Sequence, residues 1–241
     1  LLNDIACHEK RLQRYCFFYD QKHLKLNLCA PNIKSLFIEV AFRFFCIFEK
    51  TDILLGMKNM NLELKIRPAS KEDAELIAKV VAAAINTEEG YALLPIFREL
   101  AEMENSQYSY KNTLVAEVCG EPVGAVVGYD GAKLQELRLS LLKLYRERVG
   151  KNLEIEDETS AGEFYVDSIS VLPEFRGRGI GEHLLKSMIE KATEEGHSCI
   201  GLLVDFDNPK AEKLYRKIGF QRKNETMFLG HKMWHLQLTK D

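Results

Sequence analysis

One segment, residues 164–192, constrains the fold of this chain more than any other. It joins a strand-like stretch ending at Val171 to a glycine-rich turn and then to a helix with apolar residues at helical spacing. Gly177, Gly179 and Gly181 carry no side chains, so consecutive backbone N–H groups can converge on an anion, and the start of the helix adds partial positive charge. The segment therefore predicts a strand, an anion-binding turn and a helix.

Two arginines in this turn, Arg176 and Arg178, add full positive charges, and the glycine spacing narrows the kind of anion-binding loop. A Walker loop has a Lys-Ser/Thr pair after its last glycine, where this chain has Glu182 and His183. A dinucleotide-binding loop spaces its glycines G-x-G-x-x-G, which does not match this turn. Both loops are disfavoured. A helix-entry turn that is glycine-rich by chance is the alternative to an anion site.

A second segment, residues 198–220, repeats the order of strand, cap, helix and stop. Asn208 suits a helix N-cap, Pro209 suits the first helical position, and Gly219 suits the C-terminus before Phe220 begins the next strand. The apolar residues of this helix recur at helical spacing: Ala211, Leu214, Tyr215 and Ile218.

Together the two segments resemble one protein family. The R-x-x-G-x-G loop from Arg176 to Gly181 resembles the pyrophosphate-binding loop of the GCN5-related N-acetyltransferases (GNAT), which take an acyl group from coenzyme A. Residues 208–220 are similar to the N-x-x-A-x-x-L-Y-x-x-x-G-F signature of the same family at every position. Two independent signatures in the right order argue against chance agreement.

The rest of the sequence predicts an α/β fold around these segments. The predicted elements are a strand over 62–67, a helix from a capping box at Ser70–Asp73 to Asn86, a broken helix over 91–104, a hairpin of strands 113–119 and 123–129 around a turn at 120–122, and a strand over 164–171. Strands with helices between them imply a layered α/β structure. The resemblance implies a mixed, splayed central sheet flanked by helices, with coenzyme A in the cleft between two strands.

A charged, leucine-rich segment, residues 132–149, interrupts this scheme. Apolar residues at helical spacing mark one face, and lysines and arginines mark the other. An amphipathic helix packed on the sheet edge explains this pattern, and the alternative is an insertion that walls the acceptor pocket and sets substrate choice. The apolar positions are Leu134, Leu137, Leu141, Leu144 and Tyr145.

Two parts are predicted in the chain: an N-terminal extension over residues 1–59 and a GNAT domain over residues 60–241. The extension begins with Leu1, has no clear periodicity, and ends near Met57 and Met60. We favour the hypothesis that it lies outside the native protein. The alternative is a short appended helix over 38–48.

Composition limits the cofactors and partners. A formal net charge of −3 predicts no large basic surface for nucleic acid, and six cysteines without a CxxC pair argue against a disulfide framework or a metal site. The apolar run 36–48 is shorter than the ~20 residues that span a bilayer. We expect a cytoplasmic enzyme with an amine acceptor as partner, a possible homodimer, no nucleic acid and no membrane.

The resemblance implies which residues bind the co-substrate, acetyl-coenzyme A. The loop holds the diphosphate, the backbone of the preceding strand pairs with the pantetheine amides, and Asn208 contacts the coenzyme. Tyr215 is the candidate general acid, since an ordinary tyrosine pKa of about 10 keeps it protonated at neutral pH; an aromatic residue at helical spacing is also typical of a core. The expected coenzyme-binding residues are Ile169, Val171, Arg176, Gly177, Arg178, Gly179, Ile180, Gly181, Asn208 and Tyr215.

Two carboxylates are candidates for the general base, and both could equally be structural or solvated. Glu163, Tyr165 and Asp167 alternate along a strand and should share one face. Glu163 lies thirteen residues before Arg176, an offset similar to that of the catalytic glutamate in the histone-acetyltransferase branch of the family. Asp167 lies closer to the expected thioester.

The predicted function is transfer of an acetyl group from acetyl-coenzyme A to a primary amine of a small molecule or protein. The acidic run 154–158 could attract a cationic amine such as a polyamine, an aminoglycoside or a lysine side chain, although such runs are often solvated loops. The alternatives are a non-catalytic acyl-coenzyme A sensor or regulatory module, and a nucleotide-binding α/β protein. The fold does not determine the acceptor.

Overall fold

The computed structural model describes residues 63–240, so the expectations for residues 1–59 lie outside the described residues. The strands are β1 (Leu64–Pro68), β2 (Thr113–Val118), β3 (Glu121–Asp130), β4 (Phe164–Val171), β5 (Cys199–Asp205), β6 (Gln221–Phe228) and β7 (His231–Thr239). The α-helices are α1 (Ala74–Ile85), α2 (Glu88–Ala92), α3 (Leu94–Glu102), α4 (Leu134–Val149), α5 (Ile180–Glu194) and α6 (Pro209–Ile218). None of these helices is long and apolar enough to cross a membrane.

One mixed sheet contains all seven strands in the order β1-β2-β3-β4-β5-β7-β6. Neighbouring strands pair antiparallel except β4 and β5, which run parallel. The predicted mixed α/β fold is confirmed.

The first helices form as their end signals predict. The Asp73 carboxylate accepts a hydrogen bond of 2.8 Å from the Ser70 N–H, and α1 ends at Asn86, whose φ of 53° is left-handed. The broken helix predicted around Pro95 is two helices, α2 and α3, with Pro95 in the first turn of α3, where its missing N–H has no cost.

The β2–β3 turn lies earlier than the sequence predicts. Cys119 and Gly120, with φ of 50° and 79°, form the connection, and Glu121 and Pro122 already belong to β3. Two consecutive residues with positive φ give the turn whose twist matches that of the flanking strands. The expected turn at 120–122 is therefore wrong by about one residue.

Helices cover both faces of the sheet. On β2, Leu114 and Ala116 pack in the core formed with α5 and α6, whereas Val115 packs against Leu76 and Val80 of α1. Successive side chains of a strand point to opposite faces, so β2 separates two apolar layers. Burying each large aliphatic side chain contributes about 1.5–3 kcal/mol, which makes these layers the main stabilising contribution.

The insertion helix α4 packs as predicted, with one exception. Its leucines at positions 134, 137, 141 and 144 are buried, but Arg138, expected on the charged face, is also buried at 3% exposure. Two carboxylates of the following loop, Asp157 and Glu158, form ion pairs with Arg138 and compensate its desolvation. The helical pattern could not predict these ion pairs, because both carboxylates lie outside the helix.

Strands β4 and β5 pair only briefly. Among the described residues their register contains Phe164 opposite Ile200 and Tyr165 opposite Gly201, while β4 pairs with β3 as far as Val171. Beyond Tyr165 the two parallel strands diverge. This is the splay that the resemblance implies.

Candidate active site

The splayed carboxyl ends of β4 and β5 are where the predicted site residues gather. A short 3-10 turn, Pro173–Phe175, leads from β4 through the glycine loop into α5, and a turn capped by Asn208 leads from β5 into α6. In sheets with parallel strands, ligands bind outside the carboxyl ends of such strands. The geometry therefore offers a cleft with a loop on one side and α6 on the other.

The glycine loop adopts a conformation that favours glycine. Gly177 and Gly179 have φ of 76° and 79°, in the left-handed region that disfavours other residues. A Cβ placed on Gly177 would have no neighbour within 4 Å, so the space beside its α-carbon is open in the described part of the chain.

Five consecutive backbone amides in this loop have no acceptor. Within residues 63–240, the N–H groups of residues 177–181 make no hydrogen bond, and the next amide, Glu182, donates to the Gly179 carbonyl at 3.0 Å. Helix α5 begins at Ile180, so its positive end lies at the same place. These groups can bind an oxyanion of at least two oxygens, which fits a diphosphate.

The two loop arginines differ in what they contact. Arg176 Nε donates to the Val171 carbonyl at 2.8 Å. Arg178 lies over the Phe175 ring at 5.4 Å and Nη2 donates to the Glu174 carbonyl at 3.1 Å. The Nη1 of Arg178 is buried and has no hydrogen-bond partner among the described residues. A buried, unpaired guanidinium donor beside free amides is a second feature that fits a phosphate.

The open edge of β4 carries the backbone groups of Ile169 and Val171. The Leu172 N–H donates to the Val123 carbonyl at 2.8 Å, so Leu172 faces β3. Hydrogen-bonding direction alternates along an antiparallel strand, which directs the polar groups of residues 169 and 171 toward the splay. That edge can pair with amides of an extended ligand.

Tyr215 belongs partly to the core and partly to the cleft. Its ring packs edge-on against Phe220 at 6.2 Å, and the side chain is 8% exposed. Its hydroxyl has no hydrogen-bond partner among residues 63–240. Burial raises the pKa of Tyr215 to about 12, so the phenol stays protonated at neutral pH.

Asn208 caps α6, as the sequence predicts. Its side-chain oxygen accepts a hydrogen bond from the Ala211 N–H at 3.2 Å, and the residue is exposed. Capping uses the oxygen of the side chain and leaves the amide NH₂ available to a ligand.

Glu163 lies at the closed end of β4, where that strand still pairs with β5. Its carboxylate accepts hydrogen bonds from Thr159 at 2.7 Å, Gln237 at 2.9 Å and, with the ring N–H on Nε2, His235 at 3.0 Å. A Cβ at Gly201 of β5 would overlap this carboxylate, so the glycine makes room for it. Burial favours a higher pKa for Glu163, but the three donors outweigh it and the pKa is lowered.

Asp167 lies in a β-bulge near the open end of β4. The register passes from Val127 opposite Ser168 to Gly128 opposite Val166, which leaves Asp167 without a partner on β3. Its carboxyl accepts a 2.6 Å hydrogen bond from the Ser168 hydroxyl and is 3.3 Å from the Tyr129 hydroxyl. Burial and the nearby charge of Glu158 raise the pKa of Asp167 to about 7.

A buried polar cluster beside Asp167 was missed by sequence reasoning. Its members come from four separate parts of the chain, and only Glu158 had a sequence signal, as the last residue of the acidic run 154–158. Glu154, Glu156 and Asp157 are exposed, as a solvated loop requires, but Glu158 is buried. The cluster contains Gln107, Tyr129, Arg138 and Glu158.

No group of His, Cys, Asp and Glu within residues 63–240 is arranged to hold a metal ion.

Comparison with known proteins identifies the fold and the class of chemistry. The family model for the acetyltransferase (GNAT) family matches residues 83–220. The thialysine N-ε-acetyltransferase of Bos taurus is 32% identical over 150 residues, which cover 54% of this chain and 76% of that protein. An uncharacterized N-acetyltransferase of Methanocaldococcus jannaschii is 36% identical over 72 residues, which span 30% of each chain.

A solved structure agrees with these sequence relatives. A crystal structure of an acetyltransferase, 34% identical in sequence, superposes with a TM-score of 0.62 and covers 73% of this chain and 98% of that one. The family match includes the splayed strand, the free amides of the loop and the helix that carries Tyr215. The chain therefore belongs to the acetyltransferase (GNAT) family and is an N-acetyltransferase.

Proposed function

We propose that this N-acetyltransferase takes its acetyl group from acetyl-coenzyme A and transfers it to a cationic primary amine. The observation that carries the choice of donor is the row of five unpaired amides at residues 177–181, next to the buried and unpaired Nη1 of Arg178. Coenzyme A carries a diphosphate, whose oxygens can accept hydrogen bonds from these donors, whereas a non-anionic acetyl donor would leave them unsatisfied.

The remaining parts of the donor would lie along the open edge of β4. The backbone groups of Ile169 and Val171 would pair with the pantetheine amides, and the acetyl group would then lie near the bulge at Asp167. The amide NH₂ of Asn208 is available to the coenzyme from the opposite side of the cleft. Acetyl-coenzyme A supplies an activated acyl group as a thioester.

Asp167 is the proposed general base, in preference to Glu163. A group that removes a proton at neutral pH works best with a pKa near 7, and the pKa of Asp167 is about 7. Three donors lower the pKa of Glu163 and hold it between β4 and β7, so it is a weaker base and is fixed in place. Asp167 is also partly exposed, whereas Glu163 is buried.

Atoms and protons balance in the proposed reaction. Asp167 takes a proton from the ammonium, the amine nitrogen forms a bond to the acetyl carbon, and the carbon–sulfur bond breaks. The nitrogen then loses its second proton, which restores the Tyr215 phenol after that phenol has protonated the thiolate, and Asp167 releases its proton to solvent. Tyr215 donates the proton that converts the departing thiolate to a thiol, since its pKa of about 12 keeps it protonated until that step. The products are an acetamide and free coenzyme A.

The acceptor proposed here is a small molecule with a primary amine on a flexible cationic chain. The name of the bovine relative describes transfer to the ε-amine of thialysine, a molecule of that class. In this chain the carboxylates at Asp167 and in the run 154–158 would attract such a cation. Cytoplasmic location, a homodimer and the absence of a nucleic-acid partner stay predictions from the sequence.

The test is release of free thiol from acetyl-coenzyme A by the full chain, with thialysine, lysine, polyamines, aminoglycosides and lysine peptides as acceptors. We expect turnover with at least one small cationic amine and little with neutral amines. Binding of acetyl-coenzyme A without turnover on any acceptor would favour the sensor alternative, which no present observation favours. Absence of binding, measured by calorimetry, would contradict the choice of donor.

A further inference from the structure

The hydroxyl of Tyr129 lies between two carboxyl groups that belong to different parts of the chain. Its oxygen is 2.8 Å from Glu158 Oε1 and 3.3 Å from Asp167 Oδ2. Tyr129 comes from β3, Glu158 from the loop before β4, and Asp167 from the bulge of β4. The two carboxyl oxygens are therefore at most about 6 Å apart, close enough for each charge to affect the other.

The number of protons in this cluster limits which carboxyl group is ionised. Tyr129 has one hydroxyl proton, and the Nε2 of Gln107 already donates to the tyrosine oxygen at 3.2 Å and to Glu158 Oε1 at 2.9 Å. The hydroxyl proton can satisfy only one carboxylate at a time. The other contact requires a proton of its own, so the cluster is best satisfied when one of the two acids is protonated.

Arg138 decides which acid that is. Its Nη2 forms an ion pair with Glu158 Oε2, and both side chains are almost fully buried. Burial raises the pKa of Glu158, and the positive charge of Arg138 opposes that rise and favours the ionised form. Asp167 forms no ion pair with any residue of 63–240, so it is the acid that holds and releases the proton.

We propose that Arg138, Glu158 and Tyr129 are positioning residues for proton transfer at Asp167, and that the insertion helix α4 contributes to catalysis by supplying Arg138. This inference rests on the proposed role of Asp167 as general base. It gives residues 132–149 a function different from lining the acceptor pocket. Through Arg138, helix α4 supplies a positive charge that acts on Glu158 and on Asp167.

The groups that face Asp167 fix the sign of each effect. Glu158, from the loop, raises the pKa of Asp167, whereas Arg138, from α4, lowers it; hydrogen bonds from Ser168 and Tyr129 also lower it. Three tyrosines also interact with Asp167 and Glu158, and Asp157 pairs with Arg138 from the exposed side. Burial raises the pKa of each tyrosine well above its usual range, so the tyrosines are neutral throughout the working pH range: Tyr108, Tyr129 and Tyr165.

The test compares the acidic limb of the pH profile of kcat/KM among variants of the full chain. Glu158→Gln removes a negative charge and should move the limb to lower pH by about 0.5–1 unit. Arg138→Gln removes a positive charge and should move it to higher pH. Opposite shifts cannot arise from a general loss of structure, which lowers activity without a consistent direction in pH.

Asp157→Asn is the matched control. Asp157 pairs with the same arginine, at 2.6 Å, but its side chain is 55% exposed and solvent screens its charge. The acidic limb of the kcat/KM profile of Asp157→Asn should lie within about 0.2 pH unit of that of the wild type. If Arg138→Gln does not fold, Arg138→Lys keeps the charge and should leave the limb in place while lowering kcat. Equal limbs in wild type and Glu158→Gln would overturn the inference.

Tyr129→Phe tests the hydrogen-bonded link itself. We expect kcat to fall about tenfold with an unchanged KM for acetyl-coenzyme A, because the base loses its alignment while the donor site is intact. An unchanged kcat would remove Tyr129 from the set. Asp167→Asn separates this inference from the proposed function. Full activity of that variant contradicts the base assignment, whereas its inactivation, together with equal limbs in the other variants, contradicts only the role of α4.

Discussion

The two ends of β4 carry two carboxylates with opposite environments. At the closed end, Glu163 is bounded by β5 and β7 and accepts three hydrogen bonds that lower its pKa. At the open end, Asp167 lies in a bulge, faces another carboxylate, and has its pKa raised to about 7. Only three residues, 164–166, separate a carboxylate held among donors from one whose raised pKa suits proton exchange.

The difference follows from strand pairing and not from residue type. Where β4 and β5 pair, the neighbouring strands bring donors over Glu163, and Gly201 leaves room for it. Where they diverge, Asp167 is bonded to Ser168 of its own strand and Tyr129 of β3, and the charges of Glu158 and Arg138 act on it from the loop before β4 and from α4. In a splayed sheet, one end of a strand can therefore hold a carboxylate with a structural role, and the other end can hold a carboxylate suited to proton transfer.

The largest expected effect separates the two carboxylates by activity. Asp167→Asn should lower kcat/KM by about 10²–10⁴-fold and abolish the acidic limb near pH 7, since the proposed general base is lost. Steady-state thiol release across pH 5.5–9 measures both. Glu163→Gln is the matched control and should retain kcat/KM to within about fivefold. A larger loss of kcat/KM in Glu163→Gln than in Asp167→Asn would show that Glu163 is the general base.

A smaller effect concerns the loop that follows the open end. Arg178→Met should raise KM for acetyl-coenzyme A by about 10–100-fold with little change in kcat, because a charge-assisted hydrogen bond to phosphate is lost. Initial rates at varied acetyl-coenzyme A give both constants. Arg148→Met removes the same charge from the exposed end of α4, where it pairs with Glu99, and should leave KM unchanged. Equal values for the two variants would contradict a phosphate contact by Arg178.

The hydrogen bonds to Glu163 should contribute to the stability of the folded protein. Glu163→Gln should lower the free energy of unfolding at pH 7 by about 1–3 kcal/mol, because the new amide NH₂ faces the donors His235 and Gln237. Urea denaturation followed by circular dichroism measures the loss. Glu154→Gln, at an exposed position in the preceding loop, is the control and should change stability by less than about 0.5 kcal/mol. If the Glu163→Gln protein were as stable as the wild type, the structural role of Glu163 would be contradicted.

The smallest expected effect is the pH dependence of that stability, with opposite signs at the two ends. The native pKa of Asp167, about 7, exceeds its ordinary value of 3.8, so its stabilising contribution is present below pH 3.8 and is lost as pH rises through 7. Asp167→Asn should therefore gain about 1–2 kcal/mol over the wild type between pH 5 and 8. Thermal melting at fixed ionic strength measures the difference.

Glu163 titrates in the other direction. Its native pKa is below the ordinary 4.5, so its contribution is present above pH 4.5 and is lost as pH falls. The stability difference between wild type and Glu163→Gln should shrink between pH 6 and 3. A difference that is constant over this range would mean that the three donors do not favour the charged form.

Much of the fold could be predicted because local signals agree with the structure. Strand β4 runs over the predicted residues, α6 begins after Asn208 and ends at Gly219, and the loop at 176–181 precedes α5. These elements depend on glycines, caps and periodicity, which act within a few residues. The β2–β3 turn was misplaced because Cys119 has no local signal for the positive φ that it adopts.

The partners of the two carboxylates could not be predicted. Glu163 bonds to His235 and Gln237, more than seventy residues away, and Asp167 approaches Tyr129 across two strands. The bulge that isolates Asp167 depends on the register between β3 and β4, for which a single sequence contains no signal. The helical pattern predicted an exposed Arg138, because its carboxylate partners lie in the loop after the helix and the pattern does not include them.

By itself, then, the sequence determined the glycine-rich loop at 176–181, its order with the helix of Tyr215, and a layered α/β fold, because backbone conformation and helix ends are set by neighbouring residues. Only the tertiary structure decided which carboxylate is buried among donors and which faces another acid. Protonation depends on charges and burial within a few ångströms, and the splay of two strands brings those groups together from distant parts of the chain.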